Sequence, residues 1–154
     1  MSREFRIRDA CPEDAACLTA LARRAKASWE YPAAWLDQWA AELAFEPAYL
    51  SAHRVRVAES GGLVVGVAAL EPRPAGWEIE RLWVDPAAQR LGIGRALVDD
   101  ALAHAARHGG RVTVLSDPQA EPFYVRLGAI RIGTEPAPMP GAPERALPRL
   151  AFAR

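Results

Sequence analysis

Hydrophobic and polar positions along the chain change period several times, and each change marks an element. Residues 5–8, FRIR, alternate and predict a short strand. The run CPEDAACLTALARRAKA predicts a helix with Cys17, Leu18, Leu21 and Ala25 on one face. Pro12 suits its first turn, and Glu13 and Asp14 suit its positive end. PAAWLDQWAAEL predicts a second helix whose stripe runs Trp35, Leu36, Trp39, Leu43. RVRVAES and GGLVVGVAALEP flank Gly61-Gly62 as a predicted hairpin. GWEIERLWVDP reads as a strand stopped by Pro86. Residues 95–107 predict a helix with Leu97, Val98, Ala101, Leu102 and Ala105 on one side, ended by Gly109-Gly110. RVTVLS is a strand, and AEPFYVRLG is a short helix closed by Gly128. IRIGTE and LPRLAFA are final strands around a loop holding Pro136, Pro138, Pro140 and Pro143.

The order β-α-α-β-β-β-α-β-α-β-β carries no repeat or linker, so residues 1–154 are expected to form a single α/β (α+β) domain. If the strands on either side of helix 95–107 are parallel neighbours, a right-handed crossover joins them. The flanking hairpins are antiparallel, which makes the sheet mixed. With half the residues apolar, whole-chain disorder is excluded. A net charge of zero argues against general binding to nucleic acid or anionic membrane. That charge is unevenly spread. Residues 1–80 carry 9 basic and 12 acidic groups, residues 81–154 carry 10 and 7, and the basic groups of the second half are all arginine. Cys11 and Cys17 suit neither a zinc knuckle nor a disulfide framework and read as buried small hydrophobes. The charged start MSREFRIRD has no apolar signal core, and the longest apolar run, LVVGVAAL, is far short of a membrane span. A cytoplasmic location is the expectation.

The candidate chemistry begins at VDPAAQRLGIGRALVDDALAHA. Gly92 and Gly94 stand at a helix mouth with Gln89, Arg90 and Leu91 ahead, Ile93 between them and Arg95 behind. A Walker loop requires Gly-Lys-Ser/Thr, which GIGRAL lacks. A dinucleotide fingerprint requires a third glycine where Leu97 stands, although Asp117 follows the next strand where a ribose-binding acid could sit. QRLGIG, residues 89–94, fits a third pattern, [Gln/Arg]-x-x-Gly-x-[Gly/Ala]. There, glycines let successive N–H groups face a pyrophosphate and the helix adds its positive end.

With that loop, ERLWVDPAAQRLGIGRALVDDAL resembles the strand–loop–helix of the GNAT superfamily of N-acetyltransferases. DPQAEPFYVRLGAI resembles the superfamily's N-x-x-A-x-x-x-Tyr-x-x-x-Gly-Phe segment, and the element order covers essentially the whole chain. The resemblance implies a mixed, mostly antiparallel twisted sheet of seven strands with helices on both faces. A parallel central pair splays apart to admit the pantetheine arm. It implies acetyl-CoA as donor, with Leu82, Trp83 and Val84 pairing with that arm and residues 90–95 on the pyrophosphate. Asp117, a further cofactor-binding candidate, stands where the family often has Asn and can accept from the cofactor's amides but cannot donate, and Ile130 stands where Phe is usual. Tyr124 matches the tyrosine whose hydroxyl reaches the cofactor sulfur; the competing reading is an aromatic packed beside Phe123. A backbone N–H near Val84 would serve the oxyanion.

Acetyl transfer to an amine also needs a base. Strict alternation places Glu78, Glu80, Leu82 and Val84 on one strand face, opposite Trp77, Ile79, Arg81 and Trp83. Glu80 on a covered face would have a raised pKa and lies near the family's strand-borne base. Its other reading is an ion pair with an arginine such as Arg54 or Arg56, and Glu78 is the reserve base; a bulge in this strand, common in the family, would change which carboxylate points inward. Trp29 and Tyr31 are the acceptor-pocket candidates, with Glu30 between them to attract a cation, while Trp35 and Trp39 read as core. The loop at 136–145 is either a cover for the site or a rigid connection. Asp100, His104 and His108 have helical spacing for a metal, but two histidines near a helix C-terminus have a simpler electrostatic reason, and no metal is expected. The acceptor is expected to be a small-molecule amine. A protein N-terminus or lysine, or a CoA-binding module without turnover, are the alternatives. The resemblance leaves a homodimer open.

Overall fold

A computed structural model describes residues 4–153. Its elements are β1 (Arg6–Asp9), α1 (Ala15–Ala27), α2 (Ala33–Leu43), α3 (Pro47–Ala52), β2 (Arg54–Ser60), β3 (Leu63–Arg73) and β4 (Gly76–Val84). They continue with α4 (Ile93–His108), β5 (Arg111–Leu115), α5 (Glu121–Arg126), β6 (Ala129–Pro136) and β7 (Ala146–Phe152). The seven strands are ordered β1-β2-β3-β4-β5-β7-β6, with β4 and β5 the parallel pair and helices flanking the sheet. The chain groups into two compact units. One runs through Leu70 and adds Arg81–Ala101; the other is Glu71–Glu80 with the residues from Leu102 onward.

In the first unit, β1, β2 and β3 pair antiparallel. Gly61 and Gly62 close the β2–β3 hairpin with φ of 58° and 81°, the two left-handed positions of the expected two-residue turn. Leu18, Leu21, Ala22 and Ala25 of α1 are buried, and Ala58, Ala68, Ala88, Ile93 and Leu97 form a cluster on which Leu82 and Val84 pack. Gly66 of β3 makes this possible. A Cβ there would lie 2.7 Å from Ile93 Cγ2 and 3.1 Å from Leu97 Cδ1, so only bare backbone lets the first turns of α4 seat so closely.

Asp100 of α4 accepts from Arg54 Nη2 at 3.0 Å and from Arg56 Nε at 3.2 Å. Burial raises its carboxyl, but the hydrogen bonds and charges of the two arginines outweigh this and hold it below the ordinary value. Its stabilisation is therefore complete above the ordinary carboxylate range and is lost as pH falls through the lowered value. The three side chains are only 21–24% exposed. Asp100→Ala should therefore cost about 2 kcal/mol, between the surface and buried limits for ion pairs. Urea unfolding tests this, and a midpoint within error of wild type would contradict it.

In the second unit, the parallel ladder runs from Gly76↔Arg111 to Ile79↔Val114, and β4 continues for five residues beyond it. β5 and β6 each pair antiparallel with β7. Gly76 and Gly110 meet at the start of the ladder. A Cβ on Gly76 would strike the Arg111 carbonyl and lie 2.7 Å from its nitrogen, and one on Gly110 would lie 2.8 Å from Gly76 Cα.

Five expectations are corrected. Pro12 opens a separate 3-10 turn, Pro12–Asp14, so α1 proper begins at Ala15. That shift turns Ala15 and Leu18 inward and leaves Cys11 and Cys17 exposed rather than buried. Helix α3 was not foreseen. Helix α4 starts at Ile93, two residues early, which places Gly94 inside it. Alternation in β4 also breaks. Trp77 touches His104 and His108 of α4, while Leu82 and Val84 pack on Ile93 and Leu97 of the same helix. Positions 77 and 82 cannot share a face under a strict period of two, so the strand slips once between them.

Candidate active site

The mouth of α4 is built from the sequence DPAAQRLG. Asp85 Oδ1 accepts the Ala87 N–H at 3.0 Å, and its carbonyl accepts the Ala88 N–H at 2.8 Å, winding the turn Pro86–Ala88. Arg24 fixes the same carboxylate at 2.9 Å. Arg90 and Gly92 then adopt φ of 69° and 80°, and α4 starts one residue later. The Gly92 carbonyl accepts the Ala96 N–H at 3.0 Å. The N–H groups of Ile93, Gly94 and Arg95 therefore belong to the leading turn, which has no intrahelical acceptors. Gln89, Arg90, Leu91 and Gly92 are exposed, Ile93 is buried, and no atom lies within 4 Å of the place a Gly92 Cβ would take. Leading amides, an open glycine face and the exposed Arg90 and Arg95 make a site that fits an anionic diphosphate.

The same unit holds an aromatic cluster around one cation. Lys26, in the last turn of α1, is the single lysine of a chain with 18 arginines, and it is only 8% exposed. Its Nζ lies 4.2 Å from the ring centroid of Trp39, 5.1 Å from Tyr31, 5.5 Å from Trp29 and 5.7 Å from Trp83. Trp29 and Tyr31 meet edge-on, Tyr31 stacks on Trp35 at 5.6 Å, and Trp29 tilts against Trp83 at 6.2 Å. The pocket-candidate rings and the core rings form one continuous cluster. Trp39 is buried and Trp35 half-buried, but both touch Tyr31. Trp83, expected beside the cofactor arm, also turns its side chain to this cluster. Glu30, between Trp29 and Tyr31, has φ of 62°, a conformation a non-glycine residue adopts at a cost of about 1 kcal/mol.

The second unit holds the acid–base candidates. Arg73 Nη2 donates to Glu80 Oε2 at 2.7 Å and to Glu78 Oε2 at 3.2 Å, while Arg149 Nη1 donates to Glu78 Oε1 at 2.7 Å. Glu80 is exposed rather than on the covered face expected of it, yet partial desolvation raises it, and the neighbouring carboxylates of Glu78 and Glu71 raise it further against the pull of Arg73. Burial also raises Glu78, but its bond to Arg149 wins and the carboxyl falls below its ordinary value. Two adjacent carboxylates are thus driven apart, which separates a group that stays ionised from one that can take a proton. The arginine partner of Glu80 is Arg73; Arg54 and Arg56 are committed to Asp100.

Tyr124 of α5 is buried against Phe123 and Phe152. Burial, followed by the charge of Asp117, holds its phenol well above the ordinary value, so it keeps its proton throughout the neutral range. Asp117 itself accepts the Gln119 N–H at 2.8 Å and pairs with Arg145 at 3.6 Å. Arg145 belongs to the proline-rich connection, which closes on itself through Ala137 N–H to the Arg145 carbonyl at 2.9 Å and the Met139–Ala142 bridge. His104 lies edge-on to Trp77 at 5.1 Å, and no His/Cys/Asp/Glu group suited to a metal occurs among the described residues. Nor is any helix among them long and apolar enough to cross a membrane.

Sequence reasoning missed Lys26, Arg73, Arg149 and Gly66. Only two gave a signal: the solitary lysine, and the glycine interrupting VVGVAAL.

Known structures share this architecture. PaiA N-acetyltransferase from Thermoplasma acidophilum, solved in complex with coenzyme A, superposes with a TM-score of 0.79 at 17% identity, covering 97% of this chain and 98% of that one. The yncA protein from Salmonella typhimurium, solved with its cofactor acetyl-CoA, gives 0.70 at 23%, covering 97% and 93%. The ribosomal-protein-S18-alanine N-acetyltransferase from Escherichia coli gives 0.71 at 18%, also covering 97% and 93%. These likenesses establish the fold. Residues 18–129 match the profile of the Acetyltransferase (GNAT) family, well over half of the sequence, and the chain belongs to that family.

Proposed function

We propose that this acetyltransferase moves the acetyl group of acetyl-CoA directly onto a primary amine of a small molecule, with all residues acting in one domain. The observation that carries the reading is the mouth of α4, where left-handed Gly92 opens a face of leading amides beside Arg90 and Arg95. Two structures of the same fold contain coenzyme A or acetyl-CoA, which supports it. Acetyl-CoA, as co-substrate, supplies an activated thioester carbonyl. Residues 89–95 hold its diphosphate. Leu82, Trp83 and Val84, past the last β4–β5 pair, lend backbone groups to the pantetheine arm, and the Val84 region offers an N–H to the oxyanion. Glu80 takes the ammonium proton, directly or through water, with Glu78 as the ionised neighbour that keeps it basic. Tyr124 stays protonated and donates to the departing sulfur. Asp117, already engaged by Gln119 and Arg145, is given a structural role in place of a cofactor contact.

The test pairs melting with turnover. Acetyl-CoA should raise the melting temperature of the wild type, and Gly92→Val should weaken that binding by about tenfold or more, because a β-branched residue resists φ of 80°. Free thiol should then appear with some member of a panel of small amines. Stabilisation without thiol release from any amine would favour a binding module. Release only with peptides would favour a protein acceptor, as in the ribosomal-protein enzyme. Stabilisation by NAD and not by acetyl-CoA would overturn the reading.

A further inference from the structure

Among the described residues, Arg81 is the half-buried arginine that no carboxylate answers. Arg8, Arg54, Arg56, Arg145 and Arg149 are half-buried too, and each pairs with an aspartate or glutamate. Arg81 sits instead in a corner of two rings. Its guanidinium carbon lies 4.5 Å from the ring centroid of Phe45 and 4.8 Å from that of Tyr49, and the rings meet edge-on at 6.3 Å. Phe45 is buried, and Tyr49 stacks on His53 at 4.2 Å, so both rings are held. Arg81 Nη1 donates to the Ala44 carbonyl at 2.6 Å, in the connection between α2 and α3. All these residues belong to the first unit.

That bond leaves the more selective side of the guanidinium unused. Nη1 stands on the Cδ side, whereas Nε–H and one Nη2–H point the same way and run parallel, the fork that takes both oxygens of a carboxylate. Neither Nε nor Nη2 has an acceptor among the described residues, and no buried side-chain nitrogen there lacks one, so both reach solvent. Tying down the α2–α3 connection needs a single donor, which a neutral amide could supply without desolvating a charge. A guanidinium already fixed by two rings and one hydrogen bond, by contrast, loses little freedom when an anion arrives.

We propose that the Nε–Nη2 edge of Arg81 is a binding site for the carboxylate of a small organic acid. Its two oxygens lie in the guanidinium plane and accept one N–H each, and the anion supplies the counter-charge absent from the chain around Arg81. Chloride offers no paired acceptors and a neutral amide only one oxygen without charge, so neither satisfies the fork. The site holds whether or not the chain transfers acetyl groups. The carboxylate can belong to the amine acceptor or to an acid that is never acetylated, and turnover distinguishes the two.

Sodium acetate is the probe, with matched sodium chloride and neutral acetamide as controls. The readout is the Arg81 Nε–H signal in 15N NMR of the full chain, assigned through its own side-chain carbons. Acetate should move that signal along a saturating curve, and the controls should not. A signal that ignores acetate, or answers a control equally, overturns the proposal and makes Arg81 a plain tether. This arm needs only the wild type. In Arg81→Lys, which keeps the charge and loses the fork, the Ala44 and Phe45 amide signals should report acetate binding at least about tenfold weaker, and unchanged affinity also overturns the proposal. For the source, ω-amino acids from glycine to 6-aminohexanoate are compared with their amides. If the acceptor carries the carboxylate, one acid should exceed its amide about tenfold in kcat/KM, through KM, and lose that preference in Arg81→Lys. Equal values for every pair, with acetate still bound, assign the site to a separate acid. Failure to acetylate any amine would sink the reaction and leave the acetate result standing.

Discussion

Glu80→Gln is expected to lower kcat/KM for the acceptor by about 10²–10³-fold while leaving stabilisation by acetyl-CoA intact. The geometry behind this is the split pair on β4. Arg149 keeps Glu78 ionised, and partial desolvation together with Glu78 and Glu71 holds Glu80 above its ordinary value. A base must be deprotonated to act, so wild-type activity should decline as pH falls through that raised value. The acid limb of the profile should therefore lie above the ordinary glutamate range and vanish in Glu80→Gln. Arg73→Ala gives an independent check, because Arg73 is the cation that lowers Glu80. Its removal should move the limb to higher pH. Loss of rate with an unmoved limb would show that Glu80 only shapes the strand and that another group takes the proton.

Gly76→Ala is expected to cost about 3 kcal/mol or more, lowering the melting temperature by roughly 6–12 °C. The added methyl meets backbone of Arg111, which cannot rotate away as a side chain could, at the point where the parallel ladder begins. Gly61→Ala is the comparison. Its φ of 58° is left-handed but less restrictive than the 152° of Gly76, and nothing lies within 4 Å of the new carbon, so only a backbone cost of about 1 kcal/mol applies. Equal losses in the two variants would mean that the β4–β5 start relaxes freely, and the close approach there would carry no energetic weight.

Much of the fold was legible because its signals are local. Two adjacent glycines between alternating strands made the β2–β3 hairpin readable; the helix between two apolar strands allowed a parallel pair, which the family resemblance implied. What stayed hidden depends on contacts remote in sequence or on irregularities that leave no periodic trace. Helix α3 has six residues, too few for a helical stripe. The residue pattern GWEIERLWV gives no sign of the slip in β4; only the family resemblance allowed for a bulge in that strand. Arg149 reaches Glu78 across 71 positions, a separation that no local rule spans. Lys26 follows Ala25 at the end of an apolar stripe, where a lysine ordinarily marks solvent; packing that includes α2 and the β4 end makes it interior.

The near-exclusive use of arginine has a chemical consequence. An enzyme that acylates amines works amid whatever nitrogens its own surface displays. Guanidinium groups remain protonated across the physiological range and make poor nucleophiles, so 18 of the 19 basic side chains are inert toward an activated ester. The remaining one, Lys26, sits among indole and phenol rings and is only 8% exposed, so among the lysine and arginine side chains none stands in the open as an amine that the enzyme's own reagent could acylate.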